Sequence, residues 1–131
     1  MKLFILLAMI FCHITDDFYL QGILVNLKQK QWWKDNYPDD LYKSDWIISL
    51  LLHSFSWSFM IHLPIAIYCI ANNIDCWLGY FVSVLTNTII HAIIDHFKAN
   101  KLSMSLTVDQ IFHLLQIIMV WLEFYDTIYK L

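Results

Sequence analysis

Four apolar runs, at roughly residues 2–26, 46–70, 77–98 and 104–126, leave this chain of 131 residues few ways to fold. Each is close to the roughly 20 residues that carry a helix across a bilayer core. Backbone N–H and C=O groups in lipid must be satisfied within the chain itself, which a helix does and an open strand does not. The expected fold is therefore all-α, a four-helix transmembrane bundle built as a single domain over residues 1–131. Its composition agrees, since 60% hydrophobic residues and a mean hydropathy of +0.57 are too much for an ordinary soluble domain. Trp32, Trp33, Trp46, Trp77, Tyr125 and Tyr129 lie near the ends of these runs, where amphipathic rings settle at headgroup level.

The connections define the topology. "KQKQWWKDNYPDDLYKSD", residues 28–45, is the long polar stretch, and Pro38 with its acidic neighbours marks a surface loop whose Trp pair is expected to lie on the membrane. "ANNID" (71–75) and "ANKLS" (99–103) are turns short enough to make helices two and three, and three and four, antiparallel neighbours. Lys28, Lys30, Lys34 and Lys43 fall in the first loop and Lys98 and Lys101 by the third, against Lys2 and Lys130 on the other side. The positive-inside rule then puts both of those loops in the cytoplasm and both termini outside, in a cytoplasmic (inner) membrane.

Several function classes fall away at this level. A net charge of −3 gives no reason to expect a nucleic-acid partner. Cys12, Cys69 and Cys76 fit no metal spacing and are odd in number, so they are expected to be reduced fillers. "MKLFILLAMIFC" imitates a signal peptide but lacks the small-residue cleavage pattern, and is expected to stay as the first helix.

The ionisable residues inside the apolar runs carry the functional signal. Residues four apart share a helix face, so His13, Asp17 and Gln21 form one polar stripe, His91 and Asp95 a second that Lys98 continues, and Asp109 and His113 a third in reverse order. Helix two adds His53. Counted from the lysine-rich boundary, His53, His91 and Asp109 lie at a common depth of roughly 10 to 12 Å, with His13, Asp17 and His113 deeper. Such groups are costly in lipid and face a bundle interior or a water cavity, so together they form one candidate site. A single His-x-x-x-Asp pair is explained as well by interhelical hydrogen bonding, worth roughly 0.6 to 2 kcal/mol, but three pairs of the same types on the same side are harder to dismiss.

Histidine with carboxylate suits a divalent cation such as Zn²⁺, Mn²⁺ or Fe²⁺. The expected ligands are His13, Asp17, His53, His91, Asp95 and His113, with Asp95 and Asp109 as the carboxylates available for acid–base work. His62, two residues before Pro64, falls on the far side as a structural residue. His96 is expected at the interface, Glu123 and Asp126 as boundary charges, and Asp16, about 100° around the helix from Asp17, as a partner, a cap or a solvated residue.

The motifs His13-x-x-x-Asp17-Phe18-x-x-Gln21, His53, His91-x-x-x-Asp95-x-x-Lys98 and Asp109-Gln110-x-x-His113, taken in this order, resemble the bacterial and phage membrane family catalogued as domain of unknown function number 3307. The likeness spans residues 13–113 and leaves the loop from 31 to 45, His62 and the C-terminal "EFYDTIYKL" without counterparts. It implies a small multi-pass membrane protein, often phage-encoded, and brings no activity with it. A looser likeness, of style only, is to bacterial membrane proteins described as metal-dependent hydrolases.

Two functions follow as expectations. One is a metal-dependent hydrolase acting on a lipid-linked or membrane-associated substrate near the cytoplasmic face. The other is a non-enzymatic membrane protein whose polar core handles protons or holds helices together, or which binds a host membrane protein. A proton path would need polar groups in both leaflets, and the outer half offers few beyond His62. A homodimer is also compatible, although no small-xxx-small interface stands out.

Overall fold

Each long apolar run becomes a helix, and the four pack into a ring. The computed structural model describes residues 2–125, which hold no strand. In order they form α1 (Lys2–Ile14) continued by a π-helical segment (Thr15–Leu20), α2 (Leu24–Leu27), α3 (Lys30–Asn36), a 3-10 turn (Asp40–Tyr42), α4 (Asp45–Ala71), α5 (Trp77–Ala99) and α6 (Leu106–Glu123). Four stretches are long and apolar enough to cross a membrane: Leu3–Leu20, the region ending with α4, α5 and α6. α1 packs on α4, α4 on α5, α5 on α6 and α6 back on α1, which closes the bundle.

Burial runs opposite to that of a soluble bundle. Phe4 is 72% exposed and Leu78 81%, whereas His53, His91, Asp95, Asp109 and His113 are all at 1% or less. Apolar side chains turned outward with polar ones inside suit a hydrocarbon solvent, where apolar surface gains nothing by hiding. An apolar core does exist, in the half of the bundle near the N-terminus of α1, built from Ile5, Met9, Ile61, Ile65, Ile117 and Val120. Trp57 is its floor, and the polar cluster lies on the other face of that ring.

The first apolar run does not form one helix through residue 26. Regular hydrogen bonding ends at Leu20, and Gly22 takes φ +52°, a left-handed conformation that costs a residue with a Cβ about 1–2 kcal/mol. The chain turns there, and α2 brings Lys28 back against the bundle. Gly22→Ala is therefore expected to lower stability by about 1–2 kcal/mol, read as an earlier unfolding midpoint in detergent. An unchanged midpoint would mean the bend is not maintained by that residue.

The polar connection is also more ordered than its composition suggests. It carries α3 and the 3-10 turn, and Trp33 donates its indole N–H to the Leu27 carbonyl (2.6 Å) while stacking near-parallel to Tyr42. Asp39 caps the 3-10 turn, and Ser105 caps α6 by accepting the Val108 N–H. The expected ends of helices two and three hold to within a residue, at Asp45–Ala71 and Trp77–Ala99. α6 starts at Leu106 rather than 104, while Asp126, Tyr129 and Lys130 lie outside the described residues.

Candidate metal centre

Helix geometry first gathers the ligands in pairs. His91 and Asp95 lie one turn apart on the inner face of α5, as do Asp109 and His113 on α6, and His53 stands opposite them on α4. The contribution of the first membrane segment needs a further device. In the π-helical segment the wider turn rotates adjacent residues less than an α-helix does, so Asp16 and Asp17 both point inward, at 2% and 9% exposure. Asp16 is thus neither cap nor solvated; its Oδ1 accepts a 2.7 Å hydrogen bond from Ser56.

Two groups of three emerge. His53, His91 and Asp95 form one, and Asp17, Asp109 and His113 the other, each with its potential ligand atoms within 4.8 Å of one another. The Nε2 atoms of His53 and His91 are 3.3 Å apart, and His53 Nε2 is 3.2 Å from Asp95 Oδ2. Those separations match the edge of a tetrahedron with Zn–N bonds of about 2.0–2.1 Å. The groups touch through Asp95, whose Oδ1 is 3.6 Å from His113 Nε2, and through Asp17, whose Oδ1 is 3.7 Å from His53 Nε2. His113 Nε2 also lies 3.4 Å from Asp109 Oδ1.

Buried polar atoms ordinarily find partners, and here they do not. Asp95 Oδ1, Asp109 Oδ1 and His113 Nε2 are fully buried, carry no hydrogen bond, and face one another. Carboxylate oxygens and an imidazole nitrogen that converge with no hydrogen bond among them form a donor set that fits a cation. These buried His/Asp groups could hold a metal ion.

His13 plays a different part. The indole N–H of Trp57, a donor only, points at His13 Nδ1 (2.8 Å), so the imidazole proton sits on Nε2 and is donated to Gln110 Oε1 (3.1 Å). Gln110 then donates through Nε2 to Asp17 Oδ2 (2.9 Å) and Asp109 Oδ2 (3.1 Å). Each link fixes the next, and the relay ends by orienting two carboxylates of the cluster. With both ring nitrogens engaged, His13 lies beside the ligand groups as a brace rather than within them.

Trp57 has a second role, because its ring also stacks on His91 at 4.1 Å and 16°. Trp57→Phe keeps most of that stacking and removes the N–H, which strands His13 Nδ1 in the interior. A loss of about 1–3 kcal/mol is expected from chemical denaturation in detergent, and none would mean the relay is not formed.

Two lysines enter the cluster. Lys28, expected in the loop, is 7% exposed and pairs with Asp95 Oδ2 at 2.5 Å. Lys98 reaches Asp109 Oδ2 at 2.5 Å, joining the stripe of α5 to that of α6. His96 stays outside the cluster and stacks on Trp46. Gln21 keeps its place on the first stripe, donating to Asp17 Oδ1 at 2.6 Å.

The half of the bundle away from the lysine-rich loops is more polar than His62 alone suggests. His62 is fully buried, with Nδ1 2.7 Å from the Ser58 carbonyl and Nε2 2.9 Å from Ser83 Oγ, which donates to Glu123 at 2.8 Å. Asn87 also approaches Ser83 Oγ, and Gln116 donates to Asn87 Oδ1 at 3.1 Å. Ser54 and Ser58, four residues apart, are buried small residues, and Ser58 bonds the Val84 carbonyl across the α4–α5 interface. A small-xxx-small step is thus present inside the bundle.

Compared with protein-family models, curated proteins and solved structures, the chain matches none. The functional reading therefore rests on the site itself.

Proposed function

We propose that this chain is a multi-pass membrane protein that binds one divalent transition metal, Zn²⁺, Mn²⁺ or Fe²⁺, inside the bundle. The metal would serve hydrolysis of a lipid-linked or membrane-associated substrate at the cytoplasmic side of an inner membrane. The observation that carries the reading is charge. Four buried acidic side chains, Asp16, Asp17, Asp95 and Asp109, share the interior with two lysines, Lys28 and Lys98, and with all four as carboxylates the excess of two negative charges is what one divalent cation would balance. Structural packing alone gives no reason to gather that much charge of one sign.

His53, His91 and Asp95 would hold the ion, with His113 and Asp17 adjacent. A bound metal supplies Lewis acidity, lowering the pKa of water and polarising a carbonyl or phosphoryl oxygen. Asp109 is the base: its Oδ1 is unpartnered toward the centre while Oδ2 is held by Lys98 and Gln110. His113 Nε2, 3.4 Å from that oxygen, is placed to pass the proton on. A cleft of about 250 Å³ reaches Asp17 between Phe18, Gln21, Lys28, Lys98 and Leu106. Its apolar and polar walls suit a substrate with a hydrocarbon chain and a polar head.

The lysine-rich end of the bundle carries this cleft, which with the positive-inside rule supports a cytoplasmic opening and external termini. The likeness to the membrane family of unknown function number 3307 supports the multi-pass reading and adds no activity. The test is turnover by metal-loaded protein in vesicles containing amide-, ester- and phosphoester-linked lipid analogues. Asp109→Asn should retain the metal and lose about 10²–10⁴-fold in rate. Undiminished turnover in that variant, or none by the wild type on all three linkages, would contradict the hydrolase reading.

A proton-handling core is the second reading, favoured by His62, Ser83 and Glu123. The Ser58 carbonyl only accepts, so His62 Nδ1 keeps a proton, and one further proton is shared along Nε2, Ser83 Oγ and the Glu123 carboxylate. Glu123 is exposed and gives that chain an outlet. Dissipation of a pH gradient by vesicles holding the wild type, lost in His62→Phe, would favour this reading; leakage equal to that of empty vesicles would dismiss it.

A further inference from the structure

The sequence alone leads one to expect Cys69 and Cys76 as reduced fillers. The fold brings them together: Cys69 lies in the last turn of α4, fully buried, and Cys76 is the N-cap residue of α5, with their Sγ atoms 2.8 Å apart. The turn between them is tight, with Asn73 at φ 53° and the Ile74 N–H bonded to the Cys69 carbonyl. A disulfide has an S–S bond of about 2.05 Å, so the sulfurs need under about 1 Å of further approach. Cys12, in the last turn of α1, belongs to no such pair among the described residues.

We propose that Cys69 and Cys76 form a disulfide that closes the α4–α5 turn. The inference rests on the orientation above, which places residues 72–76 on the extracytoplasmic side, where thiols are oxidised. The oxidant is a disulfide-bearing thiol oxidant of that compartment. Cys76, only partly buried, attacks one sulfur of the donor as thiolate and expels the other as a thiol. Cys69 then gives up its proton, attacks the Cys76 sulfur of the mixed disulfide and releases the donor's second thiol. One S–S bond forms in the protein, one breaks in the donor, and two electrons and two protons pass to the donor. The odd cysteine count is thereby explained as one pair plus the unpaired Cys12.

The experiment is alkylation of the full-length protein in freshly isolated membranes, with a maleimide added together with denaturant, followed by intact mass measurement. One adduct, on Cys12, is expected without reductant and three after reduction; in Cys76→Ser two adducts are expected without reductant. Three adducts on the wild type without reductant would overturn the proposal. Treating fresh, unalkylated membranes with diamide before the maleimide and denaturant then separates the premises: ring closure between Cys69 and Cys76 would leave the pairing intact and reject the orientation, whereas no closure would reject the pairing. Neither arm depends on whether the buried cluster holds a metal.

Discussion

Asp95→Leu should destabilise the metal-free protein by about 3–5 kcal/mol, and adding Lys28→Met should recover most of that loss. Asp95 is the hub of the cluster, 2.5 Å from Lys28, 3.2 Å from His53, 3.6 Å from His113 and 3.9 Å from His91. Removing it leaves the Lys28 ammonium 7% exposed and without the carboxylate it pairs with, a cost larger than the net worth of the pair. Lys28→Met removes the stranded charge and keeps the length of the stem, so the double variant loses mainly the hydrogen bond. Denaturation of the four proteins in detergent, followed by tryptophan fluorescence, gives the coupling directly. Additive losses would show that Lys28 does not fold back onto Asp95.

His91→Ala should weaken metal binding by more than about 100-fold, and His13→Ala by only about 10-fold. Both histidines sit beside Trp57 in the same buried cluster, so burial does not distinguish them. Hydrogen bonding does. His91 Nε2 faces the Nε2 of His53 and the Asp95 carboxylate, whereas both nitrogens of His13 are taken by Trp57 and Gln110. His13 therefore acts on the metal at one remove, through Gln110 and the Asp17 carboxylate beside it. Competition against a coloured chelator measures both affinities. Equal losses would return His13 to the ligands, as its spacing in the sequence suggested.

The i, i+4 pairs His91–Asp95 and Asp109–His113 were legible because a regular helix maps spacing onto a face, and both fall in uninterrupted helices. The length of each apolar run also predicted α4, α5 and α6 closely. The first membrane segment was less legible, since spacing rules presume 3.6 residues per turn and residues 15–20 form a π-helical segment. That change turned Asp16 inward. Gly22, one of only two glycines, was the available sign that the helix stops before residue 26. Lys28 counted toward topology as a loop charge, and nothing in its neighbourhood signalled that a turn would bury it against Asp95, 67 residues on. Gln110 and Trp57 were visible as residues, but their roles depend on contacts across helices. The buried Ser54-x-x-x-Ser58 step is present in the sequence but is masked there by its larger neighbours.

The same limit applies to the half of the bundle around His62. Ser83, Asn87, Gln116 and Glu123 are scattered over two helices and acquire meaning only when the α5–α6 interface aligns them with His62. The cysteines differ again, because six residues separate them, the first two still in α4, and only the closure of the α4–α5 hairpin brings the sulfurs together.

The central claim is that the excess negative charge in the bundle is balanced by a bound cation. Elemental analysis of the wild-type protein, purified from membranes in mild detergent without chelator, tests it most directly. About one divalent transition metal per chain, removable by a strong chelator and restored on adding the same metal back, is the predicted result. Protein that carries no metal as purified, and takes up none when offered Zn²⁺, Mn²⁺ and Fe²⁺ in turn, would contradict it.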